Sequence, residues 1–372
     1  MGPVDGRRTA AASLLARAQQ LAKSSGVTRL ADITRLDRIG LPVWQAVRPM
    51  SRALSVHQGK GARASDAQLG ALLEAAESDA AERFEANGPT CTWRDLDANE
   101  RPHDLADFAR HRNAPPAPDQ EVQWTRAERI DASYCWVPFK CVSLDFTLPE
   151  PSLFERSSAG LAMGTSQEDA RRTALYELIE RDALRAFLGT DIIARLQHEI
   201  MPGTVPYDWF ADLHDRIAAA GGSLRVFRLP AIGPAFAASI DDHSKDSRPY
   251  RAIVGHAAHP DAEIALFKAV AEAVQSRLTF ISASRDDCLP SLYDQPERVV
   301  SFALAPPPNP GVSPSHYDAG GTGPTTVEAI AEALSGTGFD CCCFVSILER
   351  DGFWIERAFV PGMGSLARER RA

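Results

Sequence analysis

The chain has 372 residues, of which 44% are hydrophobic and 24% charged, a composition that supports one large core or two ordinary domains and excludes a largely disordered polymer. A formal net charge of −9 excludes the broad basic surface with which proteins wrap nucleic acid or coat an anionic membrane, so a small anionic ligand has to be held by local cations or by metal. No stretch is apolar over enough residues to span a bilayer. Residues 1–27 read as an amphipathic N-terminal helix that lacks the continuous apolar run of a signal peptide. From 27 to 58 short apolar runs alternate with Gly40, Pro42 and Pro49, the pattern of strands and turns, and Gly59-Lys60-Gly61 follows.

A second helix is predicted over about Ser65 to Ala86, with Leu69, Leu72, Leu73, Ala76 and Ala80 on one side and Glu74 and Glu77 beside that stripe. An i,i+3 glutamate pair costs a few tenths of a kcal/mol in an isolated helix, and for a lone helix a solvated acidic face is the simpler explanation. Residues 87 to 137, rich in Asp, Arg and Pro and without a clean period, read as a long loop-dominated connection. Strands are expected to resume at Phe139 to Leu148.

The segment from Ser157 to Phe187 organises the rest. Gly160 and Gly164 punctuate its start, Thr165-Ser166 offers a helix cap, and an apolar-periodic run then carries Asp169, Glu177, Glu180 and Arg181. At about 100° per residue Asp169 and Glu180 lie within about 20° of each other and Glu177 about 80° from Asp169. Ala170, Ala174, Leu175, Leu178 and Ile179 fill the neighbouring arc, so the carboxylates border the buried side. Like charges at the edge of a core require neutralisation, by arginines or by a metal. Short strands are expected at Leu224 to Leu229, Ala235 to Ile240 and Tyr250 to Ala257. A third long helix, about Asp261 to Ser284, places Ile264, Phe267, Val270, Val274, Leu278 and Ile281 on its apolar arc, with Lys268, Glu272, Gln275 and Ser276 opposite and Arg277 at the flank.

The Pro/Gly-rich stretch 306–326 is too long for a simple connector; a disordered insertion explains it more simply than a lid or a partner-binding segment. Strands near Cys343 to Leu348 and Phe353 to Val360 and a charged tail, 363–372, close the chain. The seven cysteines, Cys91, Cys135, Cys141, Cys288 and the run Cys341 to Cys343, form no CxxC pair and read as reduced, the run as small buried strand residues, which indicates a cytoplasmic protein. None of the nine histidines sits in a recognisable nucleophile signature, and His57, beside the Gly-Lys-Gly turn, is the one worth testing. Three acid-bearing helix faces, Gly-Lys-Gly and two arginines suggest Mg2+ bridging a polyphosphate, with Lys60 reaching a phosphate where its flanking glycines let the backbone come close. With only a few cations nearby, metal with phosphate accounts for the acids better than local ion pairing. Gly-Lys-Gly does not satisfy the P-loop pattern.

At these residues the chain resembles the YcaO superfamily. The run GLAMGTSQEDARRTALYELIERDA looks like its signature, and QGKG at Gln58 to Gly61, LLEAAE at Leu72 to Glu77 and EAVQSRLTFISASRDD at Glu272 to Asp287 match it in order. RLADITRLDRIGLPVWQAVRP further resembles the subgroup that works with a TfuA-type partner. The resemblance implies an α+β, YcaO-like fold in which mixed or antiparallel sheets pack against long amphipathic helices that frame an ATP/Mg2+ site, with one catalytic domain over 28–362 behind an N-terminal extension of 1–27. It implies an enzyme that spends ATP to O-phosphorylate a backbone amide of a precursor peptide, forming a thioamide with sulfide or an azoline with a neighbouring Cys, Ser or Thr.

The resemblance places Mg2+ on Glu74, Glu77, Asp169, Glu177, Glu180 and Glu272, the nucleotide on Lys60, Gly61, Thr165, Arg181, Gln275 and Arg277, and catalysis on Arg181, Lys60 and Glu180. Asp169 stands where members usually have glutamate. Where they read S-N-G-x-A-x-G-N, this chain has Ala159 and Thr165 for the two asparagines, and Ala159 cannot donate or accept through its side chain. The proline-rich C-terminus of many azoline-forming members has no counterpart, which directs the expectation to thioamide formation. A homodimer agrees with the resemblance. Two rivals differ in class: a non-catalytic scaffold that binds peptide or partner, and a carboxylate–amine ligase that passes through an acyl phosphate.

Overall fold

The computed structural model describes residues 4–102, 105–108, 117–148, 153–242, 253–290, 293, 304–306 and 311–363. In chain order the elements are α1 (Val4–Ser24), β1 (Arg29–Asp32), β2 (Val43–Val47), β3 (Val56–Lys60), α2 (Ala64–Arg83), β4 (Thr90–Thr92), β5 (Glu121–Arg129), β6 (Tyr134–Pro138) and the single turn α3 (Phe139–Val142). There follow β7 (Leu161–Gly164), α4 (Gln167–Gly189), α5 (Asp208–Ala219), β8 (Gly222–Arg228), β9 (Ala235–Asp242), β10 (Ile253–Ala258), α6 (Ala262–Ser282), α7 (Val327–Ser335), β11 (Cys343–Arg350) and β12 (Phe353–Phe359). The fold is α+β with antiparallel sheets, as expected. The chain divides into two compact units, and the boundary, between Ala76 and Glu77, falls inside α2.

The first unit gathers residues 1–76, 190–229 and 234–322. It holds the sheet β1-β2-β3 and the sheet β10-β9-β8. Its main core joins Val43, Phe210, Ile217, Phe236, Leu266 and Val270, so α5 and α6 cover the second sheet. α6 begins where Asp261 accepts a hydrogen bond from Ile264 N at 3.1 Å, an N-cap that satisfies one orphan donor of the first turn. The seating of α2 and α6 depends on glycine. A Cβ on Gly59 of β3 would stand 2.0 Å from Ala67 O and 2.2 Å from Ala71 N of α2, and one on Gly255 of β10 would stand 2.2 Å from Ala273 N of α6. Bare backbone opposite alanine-rich helix faces therefore brings each acid-bearing helix onto its strand.

The second unit gathers residues 77–189, 230–233 and 323–372 around a six-stranded sheet, β4-β5-β11-β12-β7, with β6 on β5. α4 lies on β7 and β12 and buries Ala174, Leu175, Leu178 and Phe187. The predicted cap is there: Ser166 Oγ accepts from Asp169 N at 3.1 Å. Arg171 on α4 pairs at 3.0 Å with Glu356 of β12, a carboxylate with no exposed surface, and also with Glu128 of β5. Such a buried ion pair fixes the helix on the sheet because breaking it leaves an uncompensated charge.

Two expectations fail. The loop-dominated reading of 87–137 misses β4, β5 and β6. β5 buries Val122 and Trp124 on one face, but Thr125 is buried as well and Ala127 follows in the opposite phase, so the alternation breaks in mid-strand and a hydropathy reading finds no clean period. The strand expected at Phe139 to Leu148 is instead a single helical turn and a loop: Pro138, at φ −62, closes β6, and the turn buries Phe139, Cys141 and Val142. Helices α5 and α7 were not anticipated. Residues 103–104 and 109–116, the first residues of the strand expected from Tyr250, residues 307–310 of the Pro/Gly-rich stretch and the tail beyond Met363 lie outside the described residues. All seven cysteines are free thiols, Cys342 and Cys343 buried and Cys341 half-buried. Among the described residues no helix is long and apolar enough to cross a membrane.

Candidate functional site

In the first unit α2, β3 and α6 assemble one group of charges. Glu74 accepts from the Gln58 backbone N–H at 3.1 Å and approaches His57 Nδ1 at 4.0 Å. Lys60 Nζ pairs with Glu272 Oε2 at 3.0 Å, and His256 Nε2 stands 3.7 Å from the other oxygen. Burial raises the Glu74 pKa, against the Gln58 amide and the charges of Arg285 and Lys60, with Glu272 adding repulsion. Burial acts the same way on Glu272, but Lys60 and His256 outweigh it and hold that carboxyl below its ordinary value. Gln58 is buried, its Oε1 accepts from Thr279 Oγ1, and its Nε2 is a buried donor without an acceptor.

Other expected residues of this unit are already engaged. The Gly61 N–H donates to Pro42 O at 3.2 Å. Arg277 is buried against Asp37, with its Nε 2.9 Å from the carboxylate. Gln275 is half-buried on α6, and its carbonyl accepts from Thr279 Oγ1 at 2.9 Å.

In the second unit Glu77 accepts from Met163 N at 2.8 Å and thereby ties the last turns of α2 to β7. Asp169 caps its own helix, accepting from Thr165 N at 3.2 Å, and pairs with Arg172 at 2.6 Å. Glu177 pairs with Arg181 at 2.8 Å, one turn away, and Glu180 follows half-buried on the next turn. Burial raises the Glu177 pKa and Glu180 adds repulsion, while Arg181 and, from β12, Arg357 oppose them. Thr165 has an exposed side chain, and Ala159 is half-buried with its N–H on Ser157 Oγ at 3.3 Å. Asp169 and Glu177 each have an arginine three or four residues along α4, a spacing at which side chains of one helix meet.

The sequence reading missed His256, Arg285 and Arg357, which enter these groups from β10, the end of α6 and β12. Only Arg285 lay within a quoted motif, and nothing local marks the other two.

The donor set suits Mg2+ and a nucleotide. All six expected ligands are carboxylates, Glu74 and Glu177 carry burial that their cations do not fully offset, and the Gln58 Nε2–H lacks an acceptor. Among the described residues no three His, Cys, Asp or Glu side chains form a preformed ion cage. Mg2+ needs none, since it is commonly held by one or two carboxylates with phosphate and water completing its shell. The raised values set a pH dependence. Protons compete for Glu74 and Glu177 at higher pH than for an ordinary glutamate, so Mg2+-dependent ATP binding is expected to weaken as pH falls from neutrality toward the ordinary glutamate range. Calorimetry in two buffers of different ionisation heat should also register proton release on binding; pH-independent affinity across that range would contradict it. In the metal-free fold the sign is the reverse: these ionised carboxylates destabilise, and that cost appears as pH rises through their raised values.

Comparison with known proteins places these residues in context. The family model described as YcaO cyclodehydratase, ATP- and Mg2+-binding, matches residues 58–364. An uncharacterised protein of Mycobacterium tuberculosis is 31% identical over 287 residues, covering 76% of this chain and 63% of its own length, so the chain spans under two thirds of that relative. A protein of Rhizobium leguminosarum bv. trifolii, described as lying in the tfuA 3′ region, is 35% identical over 290 residues, covering 74% of this chain and 68% of the relative. The structure of YcaO from Methanopyrus kandleri bound with AMPPCP and Mg2+ superposes with a TM-score of 0.67 at 19% identity, covering 95% of this chain and 90% of that one. With a family model spanning both carboxylate groups and relatives of this identity, the chain belongs to the YcaO family, whose domain binds ATP and Mg2+.

Proposed function

We propose that this protein uses ATP to activate a backbone amide of a precursor peptide and that its product is a thioamide. The amide oxygen attacks the γ-phosphorus and ADP leaves; a sulfide equivalent then adds to the activated carbon, and phosphate departs with the former amide oxygen. Such a phosphoryl transfer asks the protein for positioning and charge neutralisation more than for a covalent catalyst. Glu74, Glu77, Asp169, Glu177, Glu180 and Glu272 hold Mg2+ in this reading. Lys60 and Arg181 turn from their glutamates toward phosphate oxygens, Gln58 donates its free N–H, and Gly61, Thr165, Gln275 and Arg277 border the nucleotide. Mg2+, when bound, neutralises charge on the phosphates.

The observation that carries the reading is the pairing of each cation with a partly buried acid, Lys60 with Glu272 and Arg181 with Glu177, in a YcaO chain. The Rhizobium relative beside tfuA supports thioamide formation and a TfuA-type partner over azoline formation. The test combines purified protein, Mg·ATP, sulfide, a TfuA-type partner and a co-encoded candidate peptide. Exchange of one oxygen for sulfur in the peptide mass, with ADP and phosphate released, is expected. Loss of one water would identify the azoline reaction instead, and no peptide change with any nucleophile would remove the enzyme reading. Ala159 favours one alternative, a peptide-binding scaffold, because the side chain expected near the nucleotide lacks an amide there.

A further inference from the structure

The second unit carries a groove whose lining includes none of the residues assigned above to nucleotide or metal. About 790 Å³ in volume, it lies among residues 98–102, the end of β5, β6, α7 and the start of β11. That is the size of a cleft for a small ligand or a short stretch of chain. Its apolar lining is accessible: Ile130 is 39% exposed, and Trp136 and Phe339 are half-buried. Trp136 places its indole N–H on Glu100 at 3.0 Å, so its ring makes no polar demand on an occupant.

Four carboxylates, Asp131, Glu328, Glu332 and Asp340, stand around these side chains, all at exposed residues. Asp131 accepts from Ser133 N at 3.0 Å and Asp340 from Ser335 Oγ at 2.7 Å, which fixes both locally. Glu328 and Glu332 sit one turn apart on α7, whose sequence VEAIAEALS contains no basic residue, so their repulsion is not relieved within the helix. Two arginines also line the groove, but both are turned to backbone carbonyls: Arg101 Nε donates to Leu96 O at 3.0 Å and Arg129 Nη1 to Asn99 O at 3.1 Å. Four acids against two engaged cations leave a negative balance beside accessible apolar side chains. Complementarity asks for an occupant that bears both cations and apolar groups.

We propose that this groove holds a segment of the precursor peptide in which lysine or arginine alternates with apolar residues, apart from the amide that reacts. The volume admits a few side chains of an extended chain rather than a folded domain, whose standard interface buries about 800 Å² on each partner. A second hold on the same peptide serves an enzyme that modifies one backbone amide, because the reacting amide is then presented at high effective concentration. The identity of the occupant rests on the amide-activation reading; the preference of the groove does not. Binding is therefore measured without ATP or Mg2+. Its failure leaves amide activation untouched, and a peptide that binds here yet is never modified would remove the enzyme reading alone.

Full-length protein is titrated with a fluorescein-labelled synthetic peptide of alternating lysine and leucine, and anisotropy is followed. Saturable binding is expected, and none for the glutamate–leucine counterpart. Glu328→Gln/Glu332→Gln, at exposed positions that leave the core untouched, should weaken it about fivefold, the scale of two exposed ion pairs. Ile130→Ser should weaken it as well. Asp212→Asn/Asp215→Asn on α5 removes the same charge from side chains 66% and 87% exposed in the first unit and should bind like the parent. Bound peptide should shield Cys341, half-buried at the groove, from iodoacetamide, while Cys91 and Cys288, half-buried outside it, label unchanged. The candidate precursor peptide should displace the probe. Equal weakening in the α5 variant, equal binding of the glutamate–leucine peptide, an unshielded Cys341 or no displacement by the precursor would overturn the proposal. So would a dimer that Glu328→Gln/Glu332→Gln dissociates, which gives the groove to a second copy, or faster Cys341 alkylation after removal of residues 364–372, which gives it to the chain's own charged tail.

Discussion

Glu180→Ala is expected to abolish measurable Mg·ATP binding by calorimetry and to lower any ATP-dependent peptide modification by about 10²–10³-fold, the scale on which one preorganised electrostatic group contributes to a transition state. Glu180 is half-buried on α4, one turn past Glu177 and nearly in line with Asp169. Its neighbours have already spent their charge within the helix, Asp169 on Arg172 and Glu177 on Arg181. Removing Glu180 takes away a carboxylate but leaves both pairs and the Arg171–Glu356 anchor of α4 in place, so the fold should be retained. Circular dichroism and the melting curve check that condition. Glu180→Gln should behave alike, because the charge rather than the size is required. Undiminished Mg·ATP binding in both variants would remove Glu180 from the metal set. A parent protein that binds peptide but no Mg·ATP would instead favour the scaffold reading attached to Ala159.

Gly59→Ala should be among the most disruptive single-methyl changes in the described residues. The added carbon would meet Ala67 O at 2.0 Å and Ala71 N at 2.2 Å, both backbone atoms of α2, so no side chain can rotate away and the helix itself has to move. Overpacking of this kind costs about 3 kcal/mol or more, which corresponds to a fall in Tm of roughly 5–10 °C. The displacement also shifts Glu74 relative to the Gln58 N–H that it accepts at 3.1 Å, so Mg·ATP affinity should fall with stability. Gly203→Ala, where an added Cβ would meet nothing within 4 Å, is the control and should melt with the parent. Equal melting of the two variants would show that α2 is not seated through Gly59.

Several features were legible because their causes are local. The spans of α2, α4 and α6 follow from apolar periodicity, and the starts of the last two from Ser166 and Asp261, whose side chains cap backbone donors three residues on. The carboxylates at the margins of these helices are visible for the same reason. β5 escaped because its alternation breaks at the buried Trp124-Thr125 pair, and its burial depends on strands from the far end of the chain, as the Cys343–Arg129 register shows.

By itself, then, the sequence determined which helices carry acids, where they begin, and the family to which the ordered motifs belong. Tertiary structure alone decided which cation each acid of the first unit meets: Lys60 and Glu272 pair at 3.0 Å across 212 residues, and His256 joins them from β10. It also decided that Arg357 of β12 is buried, with Nη2 on Ser157 O at 2.6 Å and the guanidinium over the Phe359 ring. Periodicity and capping act over a turn or two of chain, whereas the environment of a charge is set by whichever segments packing brings around it, and that information is distributed over the whole core.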